Sequence, residues 1–234
     1  MNIFSGLRGL LGDPQGFLLN LLYSLPAILI SLSFHEWGHA YAAYRLGDPT
    51  ARNLGRMSLN PARHIDPLGL LMLVIARFGW AKPVPVNPRN FKNLRRDDTI
   101  VSLAGITVNF GLALVSMLVI YLFGILGGTN YAIANILYYF LSINLGLMVF
   151  NLIPLPPLDG SHVLENLLIR KVGPKPFLFL QRYGSMILFA LLLTGMLSGV
   201  LGTLVSYILY GVEWLFNSIF QFPGLLYLYQ VMWG

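Results

Sequence analysis

Long apolar runs separated by short polar segments dominate the chain. They lie at about residues 17–46, 100–126, 132–153 and 183–210, and each provides the ~20 residues that a helix needs to cross a bilayer. The tail at residues 213–234 is also apolar and has aromatic ends, which predicts either a final span or an interfacial helix. The pattern predicts an all-α polytopic membrane protein with about four to six transmembrane helices.

The composition agrees with this pattern. Hydrophobic residues make up 56% of the 234 residues and charged residues 10%, whereas a soluble domain is about 25% charged. We expect one membrane-embedded domain over residues 1–234, with a core at 17–170 and C-terminal helices at 180–234. The positive charges lie in loops rather than in a basic stripe with exposed aromatics, so nucleic acid is not an expected partner.

The positions of Lys and Arg predict the orientation in the membrane. Of the fifteen, ten lie from Arg45 to Arg96 and four from Arg170 to Arg182, and none lies in the turn at 127–131 or after residue 182. Cytoplasmic loops are enriched in these residues. Both basic regions are therefore expected on the cytoplasmic side of the plasma membrane, with the N-terminus and the "GGTN" turn outside.

A shorter apolar run, "LGLLMLVIARFGW" at residues 68–80, lies between Arg63 and Lys82. Both flanks are assigned to the cytoplasmic side, and the run is too short to cross twice. It is expected to dip into the membrane and return, or to lie at the surface as an ordinary helix. The following "AKPVPVNP" excludes helix by its prolines, and alternating Val84 and Val86 suit a β-like segment.

The stretch "SFHEWGH" places ionisable side chains inside the first apolar run. His35 and His39 are four residues apart, so on a helix both imidazoles can reach one ion. Glu36 is offset by one position and suits a general base. Ionisable groups in a span cost a few kcal/mol each and are functional candidates by default. The alternative is a helix end at the interface, where the histidines would be wetted caps.

A third metal ligand is needed, because catalytic zinc usually has three protein ligands and a water. The chain has no cysteine, so the ligand must be a histidine or a carboxylate. Asp159 follows the proline-interrupted stretch "NLIPLPP", and broken backbone at membrane depth lines a cavity or is packed in protein. The predicted topology places it near the depth of the two histidines. The rivals are His162, Glu165, Asp66 and His64.

"HEWGH", "AGITVN" and "NLIPLPPLDG" together resemble the site-2 protease family of intramembrane zinc metalloproteases. "GWAKPVPVNP" is similar to the short prokaryotic branch without a PDZ domain. The resemblance implies that His35, His39 and Asp159 hold one zinc ion and that Glu36 is the catalytic base. It also implies that Asn151 helps to stabilise the oxyanion. Ile106 stands where family members often have proline, which puts a proline-dependent kink there in doubt.

Two further assignments have structural alternatives. The Asn151 amide could hydrogen-bond a developing oxyanion, but interhelical hydrogen bonding explains it equally well. Asn109, Asn135 and Asn144 are interpreted as packing groups. Val84 and Val86 are assigned to substrate binding, as an edge that pairs with an unwound substrate strand; a rigid loop is the alternative.

The expected function is hydrolysis of peptide bonds in or near transmembrane segments of membrane proteins. The expected partners are a substrate protein with a transmembrane helix and the lipid bilayer, and the expected cofactor is zinc. Two other functions remain possible: a metal-handling membrane protein with the same ligands, and a catalytically silent family relative. The ionisable residues are concentrated at one depth, which favours a single site over a conduit.

Overall fold

The computed structural model describes residue 9, residues 11–76 and residues 79–233. From residue 13 onward the chain forms α-helices joined by short loops, with 3-10 turns at Pro61–Arg63 and Pro88–Asn90. The helices are α1 (Pro14–Arg45), α2 (Thr50–Asn53), α3 (Pro67–Ala76), α4 (Leu94–Ile125), α5 (Tyr131–Asn151), α6 (Asp159–Val172), α7 (Lys175–Leu193), α8 (Met196–Phe220) and α9 (Gly224–Trp233).

Five of these helices, namely α1, α4, α5, α7 and α8, are long and apolar enough to cross a membrane. This confirms the all-α polytopic class and the expected number of spans. The described part of the chain contains no β-strand, only one isolated bridge between Ile65 and Ala81. Polar side chains start the long helices: Asp13, Asn93 and Asn130 each accept a hydrogen bond from a backbone N–H of the first turn.

The bundle is centred on α4, which packs against both α1 and α5, while α1 also contacts α5. A Cβ atom on Gly38 would lie 2.9 Å from Val108 Cγ2 and 3.2 Å from the Ala104 carbonyl oxygen. Glycine at this position therefore lets α1 and α4 approach closely, as small residues do between membrane helices. This close approach brings the histidines of α1 directly against α4.

The short apolar run folds as α3 and then returns. Its two ends meet, because Ile65 and Ala81 form an antiparallel bridge and the N–H of Lys82 donates to the carbonyl of His64 at 2.8 Å. The two flanks of the run therefore lie side by side. Arg77 and Phe78, within the run, lie outside the described residues.

The expectation of one span at 183–210 is wrong, because two helices occupy this region. The helix ends at Leu193, and Gly195 has a φ of 72°, so the chain turns before α8 begins at Met196. Such a left-handed conformation favours glycine. The tail residues 213–220 belong to α8, whereas α9 has only ten residues, too few to cross alone. Leu225 and Leu228 of α9 are buried in the main core.

Candidate metal centre

Two histidines from α1 and one aspartate from α6 converge inside the bundle. The Nε2 atoms of His35 and His39 lie 3.0 Å apart, and Asp159 Oδ2 lies 3.3 Å from each of them. The three ligand atoms all lie within 4.8 Å of one another, and both histidines are buried. Since His35 and His39 are one helical turn apart, their spacing on α1 creates half of the site.

Asp159 reaches the histidines because the chain breaks before it. Its helix, α6, begins at Asp159 itself, and the negative carboxylate is favoured at this positive end of the helix dipole. A Cβ atom on the next residue, Gly160, would lie 2.4 Å from the carbonyl oxygen of Leu152. Glycine at that position therefore allows the start of α6 to pack directly against the end of α5.

The hydrogen-bond partners of the imidazoles leave both Nε2 atoms free for a cation. His35 Nδ1 lies 2.6 Å from Asn109 Oδ1, and His39 Nδ1 lies 2.8 Å from the carbonyl oxygen of Val101. Both partners are acceptors, so each Nδ1 carries the hydrogen and each neutral ring has its lone pair on Nε2. Asp159 Oδ2 is buried without a hydrogen bond. Two lone pairs and a carboxylate pointing together fit a bound cation.

A chain of amides fixes the orientation of Asn109. Its Nδ2 atom donates to Asn144 Oδ1 at 2.9 Å and also lies 3.3 Å from the Ser31 carbonyl oxygen, while Asn144 Nδ2 donates to the Phe140 carbonyl at 2.8 Å. These bonds assign the oxygen of Asn109 to His35. Interpreting Asn144 as an interhelical packing group agrees with this, but Asn109 does more, because it orients a metal-ligand candidate.

Gly105 provides the space that the imidazoles occupy. A Cβ atom there would lie 2.5 Å from His39 Nε2 and 2.6 Å from His35 Cε1. Any side chain at this position of α4 would enter the space of both rings. The stretch "AGITVN" thus contributes its glycine and its asparagine to the same site, one turn apart on α4. Ile106 lies within the unbroken helix α4, without a kink-inducing proline.

Glu36 faces the extended segment that follows α3. Its Oε2 atom accepts a hydrogen bond of 2.7 Å from the backbone N–H of Val84, and the carboxylate is buried. The Val84 side chain packs in one cluster with Ala40 and Ala51, and the Val86 side chain packs against a cluster that contains Ala43, Phe91 and Val101. The Val84 N–H therefore meets Glu36, while the side chains of both valines pack in these clusters.

Two residues between α1 and α3, Asp48 and Arg56, hold the ends of this segment. Arg56 Nη2 donates to the carbonyl oxygens of Lys82 and Pro83 at 2.7 and 3.2 Å. Asp48 accepts from the N–H of Asn87 at 2.7 Å. Burial opposes ionisation of Asp48, but hydrogen bonds from Thr50, Asn87 and Asn90 hold its pKa below its usual value.

A relative of nearly the same length decides the family. The chain is 36% identical over 204 residues to the "Putative zinc metalloprotease YwhC" of Bacillus subtilis (strain 168), covering 85% of this chain and 93% of that protein. A family profile described as "Peptidase family M50" matches residues 125–195. The chain belongs to peptidase family M50, the site-2 protease family.

Another relative matches a smaller part of the chain. The "Putative zinc metalloprotease Rip2" of Mycobacterium tuberculosis (strain ATCC 25618 / H37Rv) is 40% identical over 144 residues, which covers 58% of this chain and 54% of that protein. No solved structure matches the chain. Zinc is the cofactor of this M50 protein, and two imidazole nitrogens with one carboxylate oxygen form a donor set that catalytic zinc takes.

The M50 site opens into a cavity of about 780 Å³. Its walls come from α1, the segment after α3, and helices α4 to α7, with Leu147, Phe150, Leu188 and Phe189 among the apolar lining residues. Asn151 also lines the cavity, but its Nδ2 atom donates to the Leu147 carbonyl at 3.0 Å, within its own helix. The structure therefore places Asn151 at the cavity wall without a bond to the three ligands.

The rival ligands lie elsewhere. His162 Nδ1 lies 3.4 Å from Asp98 Oδ2 at the rim of the cavity, and the hydrogen bond to Asp98 raises the pKa of His162. The other three have partners of their own: His64 Nε2 lies 2.7 Å from the Ser58 carbonyl, Asp66 accepts from the N–H of Gly69, and Glu165 accepts from Gln181. Among the described residues, His35, His39 and Asp159 are the group that could hold a metal.

Proposed function

We propose that this protein is an intramembrane zinc metalloprotease that hydrolyses peptide bonds in or near transmembrane segments of membrane proteins. One observation carries the proposal. His35 Nε2, His39 Nε2 and Asp159 Oδ2 converge within 4.8 Å, and the Glu36 carboxylate lines the same cavity. Three ligands with an adjacent carboxylate match the arrangement by which zinc proteases activate water.

Each residue has a distinct proposed role. A zinc ion held by His35, His39 and Asp159 would polarise the scissile carbonyl and lower the pKa of its water toward about 7. Glu36 accepts the proton of the attacking water and then passes it to the leaving amine. The Asn151 amide, at the cavity wall, donates to the oxygen on which negative charge develops.

The proposed substrate enters as an extended peptide. A backbone that is still helical has its N–H and C=O groups bonded internally, so the cleaved segment must unwind. The cavity combines apolar walls with the edge that contains Val84 and Val86, which suits an apolar strand pairing through its backbone. The cavity is lined in part by Val84, Val86 and Asp98, which lie within or next to the basic stretch from Arg45 to Arg96. We therefore propose that it opens to the cytoplasmic side of the plasma membrane.

Cleavage of a single-span test substrate by the purified protein in detergent tests the function. The wild-type protein is compared with Glu36→Gln, and Glu165→Gln on α6 is the matched control. We expect Glu36→Gln to lose at least about 100-fold in rate with zinc still bound, and Glu165→Gln to retain activity. Equal cleavage by wild type and Glu36→Gln would contradict the mechanism. No cleavage by zinc-loaded wild type across several substrates would favour a silent relative.

A further inference from the structure

We propose that the backbone N–H of Val84 is a positioning group that holds the Glu36 carboxylate in its working orientation. The segment at residues 82–87 would then orient the catalytic base and also form the proposed substrate edge. This inference rests on the proposed function, because it gives the segment a role in the same reaction. It assigns that role to a backbone group, which a comparison of side chains does not detect.

The contact itself is short and enclosed. The Val84 N–H donates to Glu36 Oε2 at 2.7 Å, and both residues are buried, with 8% of each exposed. In the described part of the chain, this is the one hydrogen bond that the Glu36 carboxylate makes. A hydrogen bond to a carboxylate is stronger than one between neutral groups. It fixes Oε2 of a residue that also lines the cavity.

The donor is held still from three directions. The Val84 side chain packs beside Ala40 of α1 and Ala51 of α2. Arg56 bonds the carbonyls that precede it, and Asp48 bonds the N–H of Asn87 beyond it. A donor on such a fixed backbone imposes a position on its acceptor, because moving the N–H would break several other contacts.

The prolines make the segment one-sided. Pro83 and Pro85 have no N–H. Among residues 83–86, therefore, only Val84 and Val86 have backbone donors. The Val84 donor is occupied by Glu36 and the carbonyls of Lys82 and Pro83 by Arg56, which leaves the N–H of Val86 and the carbonyls of Val84 and Val86 for a substrate strand. In an extended chain the N–H groups of residues two apart point the same way. Glu36 and a paired substrate would therefore lie along the same edge, with their separation set by this segment.

The contact can be measured without catalysis. The zinc-loaded protein is labelled with 15N-valine in micelles without substrate, and the amide exchange rate of Val84 is followed by NMR, with its signal identified by Val84→Ala. We expect Glu36→Ala to speed exchange at Val84 by about tenfold or more, since a hydrogen-bond acceptor is lost. Val149, within α5, and the control variant Glu165→Ala should show no change. An unchanged Val84 rate in Glu36→Ala would overturn the inference.

The effect on catalysis is measured by a matched pair. Val84→Ala and Val84→Pro both lose the isopropyl group, but only Val84→Pro also loses the N–H. We expect kcat of Val84→Pro to be about 10- to 100-fold below that of Val84→Ala, with KM similar and zinc retained in both. Equal kcat values, or a difference confined to KM, would overturn positioning while leaving the protease function intact. If wild type cleaves nothing, the proposed function fails, and the exchange rate of Val84 still decides whether the segment holds Glu36.

Discussion

His35 Nδ1 lies 2.6 Å from Oδ1 of Asn109, a residue 74 positions further along the chain. The bond joins α1 to α4 and holds the His35 ring with its Nε2 directed toward His39 and Asp159. Asn109 is completely buried, so no water can replace the acceptor without a rearrangement. The orientation of the proposed metal ligand on α1 therefore depends on a side chain of another helix.

Asn109→Ala should weaken zinc binding by about 10- to 100-fold, because losing the partner of a ligating histidine frees its ring and tautomer. Zinc affinity is measured by competition with a chromophoric chelator in detergent. Asn135→Ala is the control, since Asn135 is also buried in a long helix but donates to the Tyr131 carbonyl of its own helix. Equal zinc affinity in the two variants would contradict the role assigned to Asn109.

Gly105→Ala should remove zinc and activity together. The added Cβ would lie 2.5 Å from His39 Nε2, closer than non-bonded atoms approach, and overpacking typically costs about 1–3 kcal/mol. Gly111→Ala, on the same helix, meets no atom within 4 Å and serves as the matched control. Zinc content by mass spectrometry and the thermal midpoint distinguish loss of the site from loss of the fold. A Gly105→Ala protein with full zinc content would refute the prediction.

Asp159→Ala should reduce the zinc content from about one ion per chain to a small fraction, because two histidines alone make an incomplete site. Asp98→Ala removes the neighbouring carboxylate, which pairs with His162 and Asn166 rather than with His35 or His39. That variant should keep its zinc. The measurement is zinc per chain after gel filtration. The opposite pattern, with zinc lost only in Asp98→Ala, would show that Asp98 rather than Asp159 is the third ligand.

Asp48→Asn should destabilise the loop region by about 1.5–3 kcal/mol, since hydrogen bonds to a charged acceptor contribute this much. The folded-state pKa of Asp48 is below its usual value. Its stabilisation is therefore present above the unfolded pKa of about 3.9 and is lost as pH falls through the folded pKa. The thermal midpoint of wild type should fall more steeply than that of Asp48→Asn as the solution is acidified below about pH 4.

Asp13→Asn is the control for that experiment, because Asp13 is exposed and an amide oxygen can still accept the N–H of Gly16 at the start of α1. It should follow the wild-type pH profile. Parallel profiles for wild type and Asp48→Asn would show that the Asp48 carboxylate does not supply acid-sensitive stability.

The convergence of His35, His39 and Asp159 followed from local rules. The helical period places the two histidines on one face, and the proline break with the charge distribution places Asp159 at the same end of the bundle. The expected single span at 183–210 was wrong for an equally local reason. The apolar pattern continues through Gly195, whose positive φ ends one helix and starts another, and hydropathy alone does not report backbone conformation.

The sequence by itself determined the helical membrane class and placed His35, His39 and Asp159 ahead of the rival ligands, because periodicity, charge placement and ligand spacing act over short stretches of chain. Only the tertiary structure decided that Asn109 orients His35, that Gly105 makes room for both imidazoles and that the Val84 N–H meets Glu36. The two hydrogen bonds join residues that are 74 and 48 positions apart in the sequence. Their formation depends on how closely α1 packs against α4 and the extended segment, a distance that no local pattern encodes.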